Sequence, residues 1–184
     1  MHGAVTGLTG RYGSTMTEVT RTADGLTTVS LRPVEAADEA FLRDVYGSTR
    51  EQELALTAWT DEQKATFVAM QFAAQSAYYA EVYPKRDHSV IVVDGEDAGR
   101  LFLARLTEEL RIVDITLLPK FRGRGVGTTL LSEVLAEAGN TGRRAVIHVE
   151  HENPARLLYE QLGFVVAEDL GVYFRMEWSA PATS

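Results

Sequence analysis

The residues best placed to do chemistry lie between Arg111 and Leu131, in the run RIVDITLLPKFRGRGVGTTLL. Within it stand Arg122, Gly123, Arg124, Gly125, Val126 and Gly127. Glycines let a ligand approach the backbone and let the chain take φ > 0. The arginines add fork-shaped cationic donors. Where a helix begins, its first amides have no partner inside it, and the macrodipole favours negative charge there. The chemistry such a stretch supports is binding of a phosphate or diphosphate. The alternative is a tight β–α connection that binds nothing.

The flanking residues supply the elements that must position this turn. Ile112, Val113, Ile115 and Leu117 predict a buried strand, which Pro119 closes. Val126, Leu130, Leu131, Val134, Leu135 and Ala138 recur at helical spacing and make one apolar stripe. The order is strand, glycine-rich turn, helix. A Walker A loop needs Gly-Lys-Ser/Thr at its end, and here Gly127 leads directly to Thr128. A Rossmann fingerprint needs a third glycine at Thr128 and sits early in its domain, whereas this loop comes late in the chain.

A second informative segment is AVIHVEHENPARLLYEQLGF, Ala145 to Phe164. It predicts a strand over 145–149 and then a helix with Asn153 as N-cap, Pro154 at its first position and Gly163 as its stop. Tyr159 falls within that helix. A phenol is protonated at neutral pH and can donate.

Together the two segments resemble the GNAT superfamily, the acyl-CoA-dependent N-acetyltransferases. Arg122, Gly125 and Gly127 fit its Arg/Gln-x-x-Gly-x-Gly/Ala loop. Asn153, Arg156, Tyr159, Glu160, Gly163 and Phe164 fit the pattern that follows its fifth strand. The resemblance extends more weakly over residues 26–178. It implies an α/β fold, a three-layer α/β/α domain with a mixed, mostly antiparallel sheet of about seven strands and four helices. It also implies acetyl-CoA as cosubstrate, with its pantetheine arm in a gap where the fourth and fifth strands splay apart. On that basis Ile115, Leu117 and Leu118 line the arm. Arg122, Gly123, Arg124, Gly125, Val126, Gly127 and Thr128 hold the diphosphate. Asn153, Arg156 and Tyr159 lie beside the cofactor, with Tyr159 as general acid to the CoA thiolate.

The general base stays open at this level. Asp114 sits in an apolar strand, where a carboxylate costs free energy unless hydrogen-bonded. It reads either as a base or as the partner of an arginine. Glu150, His148 and His151 near the next strand's end are further candidates, and a water chain is another. No third ligand accompanies the two histidines, so no metal is expected.

The remaining chain frames these segments. The 184 residues suit one domain with a sizeable core. Residues 1–25 read as a mobile extension, 26–178 as the domain and 179–184 as a tail. The stretch 34–46 predicts a helix, 47–60 a polar connection, and 61–82 a helix whose core stripe is Phe67, Met70, Ala74 and Ala77. Gln71, Gln75, Tyr78 and Tyr79 share a neighbouring face, read as core boundary or acceptor-pocket wall. Residues 88–93 and 98–106 form a hairpin around Asp94-Gly95, and two strands close the domain.

Composition narrows the function classes. There is no cysteine, which removes disulfides and thiolate nucleophiles and suits a cytoplasmic setting. The net charge of −8 disfavours nucleic acid or an anionic membrane as main partner, and a tRNA-directed activity with them. The expected function is transfer of an acetyl group to a primary amine, of a small molecule or of a protein, within a ternary complex. The alternative is a non-catalytic acyl-CoA-sensing module of the same fold. A homodimer through the closing strands is compatible with the resemblance.

Overall fold

The computed structural model describes residues 17–22, 25–84 and 86–181. Its strands are β1 (Thr17–Thr22), β2 (Gly25–Pro33), β3 (Asp87–Val93), β4 (Glu96–Arg105), β5 (Glu109–Leu117), β6 (Arg144–Glu150), β7 (Val165–Asp169) and β8 (Tyr173–Trp178). Its helices are α1 (Glu39–Gly47), α2 (Glu51–Ala55), α3 (Asp61–Val82), α4 (Val126–Asn140) and α5 (Arg156–Gln161). The strands form one sheet in the order β1-β2-β3-β4-β5-β6-β8-β7. Every neighbouring pair is antiparallel except β5 and β6.

The α/β class and the mixed sheet agree with the sequence reading, and two elements are additional. Residues 17–22, assigned by sequence to the extension, pair along β2 as an edge strand. Residues 1–16 and 182–184 lie outside the described residues. Helix α2 interrupts the connection between α1 and α3 and is five residues long, too short to show a period.

Alternation along the strands sends side chains to two opposite faces. On one face Ile91, Leu101, Leu103, Leu110 and Ile112 pack against Val126, Leu130, Leu131, Val134, Leu135 and Ala138 of α4. Each aliphatic side chain buried in this way contributes about 1.5–3 kcal/mol. On the other face α1 and α3 meet through Leu42, Tyr46 and Phe72. Phe102 of β4 joins that layer, with its ring 5.1 Å from that of Tyr79.

Helix α3 starts where the sequence predicts, because Thr60 and Gln63 form a reciprocal capping box. The face it buries differs from the expectation. Met70 is 60% exposed and Ala74 and Ala77 are exposed. Phe72 is buried, with Val68 packed beside it, and Gln75 and Tyr79 turn to the sheet. The helix carries apolar residues on every side, so its period does not select one face.

Strand β5 organises the site. It pairs with β6 only from Glu109↔Arg144 to Ile112↔Ile147, and then the two part. The parting coincides with a β-bulge. Phe102 faces Asp114 while Leu103 faces Ile112, so Val113 is the extra residue. The bulge reverses the phase of the strand. Ile112 before it and Ile115 and Leu117 after it all contribute to the α4 side, while Asp114 turns to the α3 side.

Beyond the bulge β4 presses closely on β5. A Cβ built on Gly99 would lie 2.1 Å from the Thr116 carbonyl oxygen and 3.0 Å from the Leu117 Cα. No flexible side chain can yield there, because both atoms are backbone. Gly99→Ala is therefore expected to lower the unfolding free energy by about 1–3 kcal/mol, measured by chemical denaturation. An unchanged midpoint would contradict this packing.

Candidate active site

The parted strands leave an opening between residues 113–117 of β5 and 148–150 of β6. The amide of Leu118 donates to the Ala98 carbonyl at 2.9 Å. Antiparallel alternation then turns the peptide groups of Leu117 and Ile115 away from β4, toward the opening. Ile115, Leu117 and Leu118 themselves pack half-buried against the core.

The glycine loop follows this strand end. Gly123 and Gly125 have φ values of 72° and 79°, which is why glycine serves there. Gly125 is the N-cap of α4, and no side chain caps that helix. Among the described residues the amides of Gly123, Arg124, Gly125, Val126, Gly127 and Thr128 make no hydrogen bond. A run of free amides at a helix N-terminus favours negative charge. Val126 anchors the helix in the core, and Gly127 brings α4 against α5, since its Cβ would touch Leu158 at 3.4 Å.

Neither loop arginine presents a free guanidinium. Arg122 Nε donates to the Leu117 carbonyl at 2.7 Å, and Nη2 donates to Ser48 Oγ at 3.2 Å. Arg124 lies 3.6 Å from Asp94 and over the Phe121 ring. In the second segment, helix α5 begins at Arg156 rather than Pro154. Asn153 still caps the preceding turn, its Oδ1 accepting from the Ala155 amide at 2.9 Å. Arg156 pairs with Glu160 at 3.0 Å and lies over Phe174.

Tyr159 is the buried titratable group of α5. Its ring is 4% exposed and packs edge-on against Phe164. Its hydroxyl has no hydrogen-bond partner among the described residues, and is not among the buried unpaired atoms. Burial first, and the nearby Asp114 second, push the phenol up to about 12. It therefore stays protonated across the neutral range.

Asp114 is held rather than free. Arg100 Nη2 contacts its Oδ2 at 2.5 Å, and Thr116 Oγ1 donates to its Oδ1 at 2.7 Å. Arg100 also donates to Gln75 Oε1 at 2.7 Å, which ties α3 to the two strands. The Tyr79 phenol is likewise pushed up to about 12, by burial and then by Asp114. Of the four residues read as an acceptor wall, Gln75 and Tyr79 thus join this cluster. Tyr78 is 58% exposed, and Gln71 bonds to none of these groups.

Arg100, Thr116 and Ser48 are site residues that sequence reading missed. One signal was present: an arginine inside the otherwise apolar run Ala98 to Ala104 needs a buried partner, and Asp114 is an acid within an apolar strand.

Strand β6 sends Ala145, Ile147 and Val149 into the core and leaves His148 and Glu150, past its last pairing with β5, exposed on the opposite face. Partial burial, then Arg111 and Arg175, hold the His148 imidazole below its usual range. His151 is occupied elsewhere, stacked on Phe174 with its Nε2 3.1 Å from Asp169.

This geometry can be set beside known proteins. Residues 84–166, from just before β3 into β7, match the acetyltransferase (GNAT) domain model. Over those residues the chain is similar to GNAT domains. The [ribosomal protein bS18]-alanine N-acetyltransferase of Haemophilus influenzae is 26% identical over 104 residues, covering 56% of this chain and 69% of that protein. Solved structures share the GNAT fold over most of their length. The paiA N-acetyltransferase of Thermoplasma acidophilum, in complex with coenzyme A, aligns with a TM-score of 0.63 at 17% identity, over 83% of this chain and 99% of that one. Mycobacterium smegmatis RimJ, in complex with CoA-disulfide, aligns with a TM-score of 0.57 at 19% identity, over 92% and 88%. Among the described residues no helix is long and apolar enough to cross a membrane.

The Arg100–Asp114 pair offers a direct check on the site's framework. Asp114→Ala leaves a cation that is 4% exposed without its partner, which is expected to destabilise the protein by about 3–5 kcal/mol. The double variant Asp114→Ala/Arg100→Met should recover much of that loss in denaturant titrations. Equal losses in both would mean that the ion pair is not what holds the cluster.

Proposed function

We propose that this protein transfers an acetyl group from acetyl-CoA to a primary amine, by direct attack with both substrates bound. The observation that carries this is Tyr159: a buried phenol with an unpartnered hydroxyl, kept protonated, on the helix that Gly127 brings against the free-amide loop.

The residues present fit the CoA group. Six consecutive amides, from Gly123 to Thr128, lack partners and would hold the diphosphate. Arg122 and Arg124 lend positive charge to that end. The outward-turned peptide groups of Ile115 and Leu117 would pair with the pantetheine arm, although Arg122 already occupies the Leu117 carbonyl. The thioester supplies an activated acetyl group. The Leu117 amide is the donor to its carbonyl oxygen as charge develops there. Tyr159 donates its proton to the departing sulfur.

The amine's proton needs an acceptor on the other side. Asp114 is bound by Arg100 and Thr116, and His151 by Asp169. His148 and Glu150 are left on the open face of β6. His148, held neutral at pH 7, takes the proton. Glu150 at the same strand end attracts an ammonium acceptor, and the net charge of −8 favours such a substrate. No covalent enzyme intermediate is needed, since holding both substrates in place supplies much of the rate. The relative that acts on an alanine of a ribosomal protein supports an amine acceptor, including one on a protein.

The test is thiol release from acetyl-CoA against a panel of amines that includes a peptide with an N-terminal alanine. Tyr159→Phe is expected to slow turnover by about 10²-fold while calorimetry shows acetyl-CoA affinity nearly unchanged. Unchanged turnover would remove the acid role. Binding without thiol release for any amine would favour an acyl-CoA-sensing module instead.

A further inference from the structure

Helix α3 carries apolar residues that nothing among the described residues covers. Gln63, Phe67, Met70, Ala74, Ala77 and Glu81 follow one another at alternating steps of four and three, the seam spacing of paired helices. The face that α3 buries is a different one, which holds Phe72, Gln75 and Tyr79. Met70 is 60% exposed, and Ala74 and Ala77 are exposed. Tyr78 and Val82, both exposed, flank the seam. An exposed helix face is ordinarily polar and charged, yet residues 65–80 hold no charged side chain. The outer side of α3 is thus an uncharged strip on a chain whose net charge is −8. Two copies of such a chain repel each other least along that strip.

The seam is complementary to itself when reversed. In an antiparallel pair centred on residue 72, Phe67 faces the partner's Ala77 and Met70 faces the partner's Ala74. Each apolar layer then sets a large side chain on a small one, which fills space without strain. At both ends Gln63 meets the partner's Glu81. Gln63 Oε1 already accepts from the Thr60 amide at 2.9 Å, so its NH2 is left to donate to that carboxylate. Beside the seam, Trp59, Thr66, Phe67 and Met70 line a shallow hollow, with the Trp59 and Phe67 rings 5.2 Å apart. In the same register the partner's Tyr78 lies over that hollow. A parallel pair offers none of this, because it stacks alanine on alanine and sets Glu81 against Glu81.

We propose that the exposed face of α3 is a docking surface for a second copy of this chain, which lies antiparallel across it with a two-fold axis at residue 72. The surface is on the other side of α3 from Gln75 and Tyr79 and away from the closing strands. It is independent of the CoA reading.

Sedimentation of the full chain tests this, and wild type should form a reversible dimer. Met70→Lys alone and Ala74→Glu alone should each weaken association by about tenfold or more, since each buries a charge without a partner. A mixture of the two variants should associate to within about threefold of wild type, because the new cation of one chain then faces the new carboxylate of the other. That recovery also shows that both variants fold. The chain has no cysteine, so introduced thiols report the register. Under mild oxidation Met70→Cys mixed with Ala74→Cys should cross-link faster than either variant by itself, by about fivefold or more. A wild-type chain that sediments as a monomer throughout would overturn the proposal. So would a dimer that Met70→Lys leaves intact, which would place association on another face such as the closing strands. Weakening in both variants without recovery in the mixture, or fastest cross-linking for Met70→Cys alone, would overturn it as well.

Discussion

The bulge at Val113 is the constraint from which the site follows. One extra residue in β5 reverses which side chains face which layer. Ile112, Ile115 and Leu117 all serve the α4 core, which a regular strand could not achieve. Asp114 is thereby delivered to Arg100, under α3. β5 also leaves β6 at this point, so backbone that would have joined a ladder is turned toward the opening. Gly99 makes the arrangement sterically possible, because β4 must approach β5 closely just where β6 no longer supports it.

Charge in this region is arranged in layers. The buried arginine, Arg100, is neutralised by Asp114 and held by Gln75. Arg124 is paired at the surface. What remains for an anion is the row of amides at the start of α4, whose dipoles are fixed by the fold and need no reorganisation. Tyr159 lies on the opposite side of the same helix contact, in surroundings that keep its proton in place. The free amides of the loop and the protonated phenol both depend on packing.

Much of this was legible in the sequence because it is local. Strand, loop and helix between Arg111 and Leu131 announce themselves by β-branching, glycine and period. Their order survives in the structure, and the α4 stripe is buried as read. The segment from Asn153 to Gly163 likewise places Tyr159, although its helix starts later than expected. What stayed hidden is non-local. A bulge is set by the partner strand, so nothing in Ile112 to Leu117 reveals the change of phase. The face of α3 is chosen by Arg100 and Phe102, since the helix is apolar all round. The use of Arg122 to reach Ser48 depends on a contact spanning 74 positions of the chain. β1 lacks an apolar alternation of its own and is defined by pairing with β2.

The central claim is that the opening between β5 and β6, with the loop after it, binds acyl-CoA. Amide chemical shifts of the isotope-labelled protein, followed as acetyl-CoA is added, test it residue by residue. Binding there predicts that the largest shifts fall on residues 123–128 and on Ile115 and Leu117, with β2 and β3 little changed. Saturable binding whose largest shifts lie elsewhere, or no shifts at all, would contradict it.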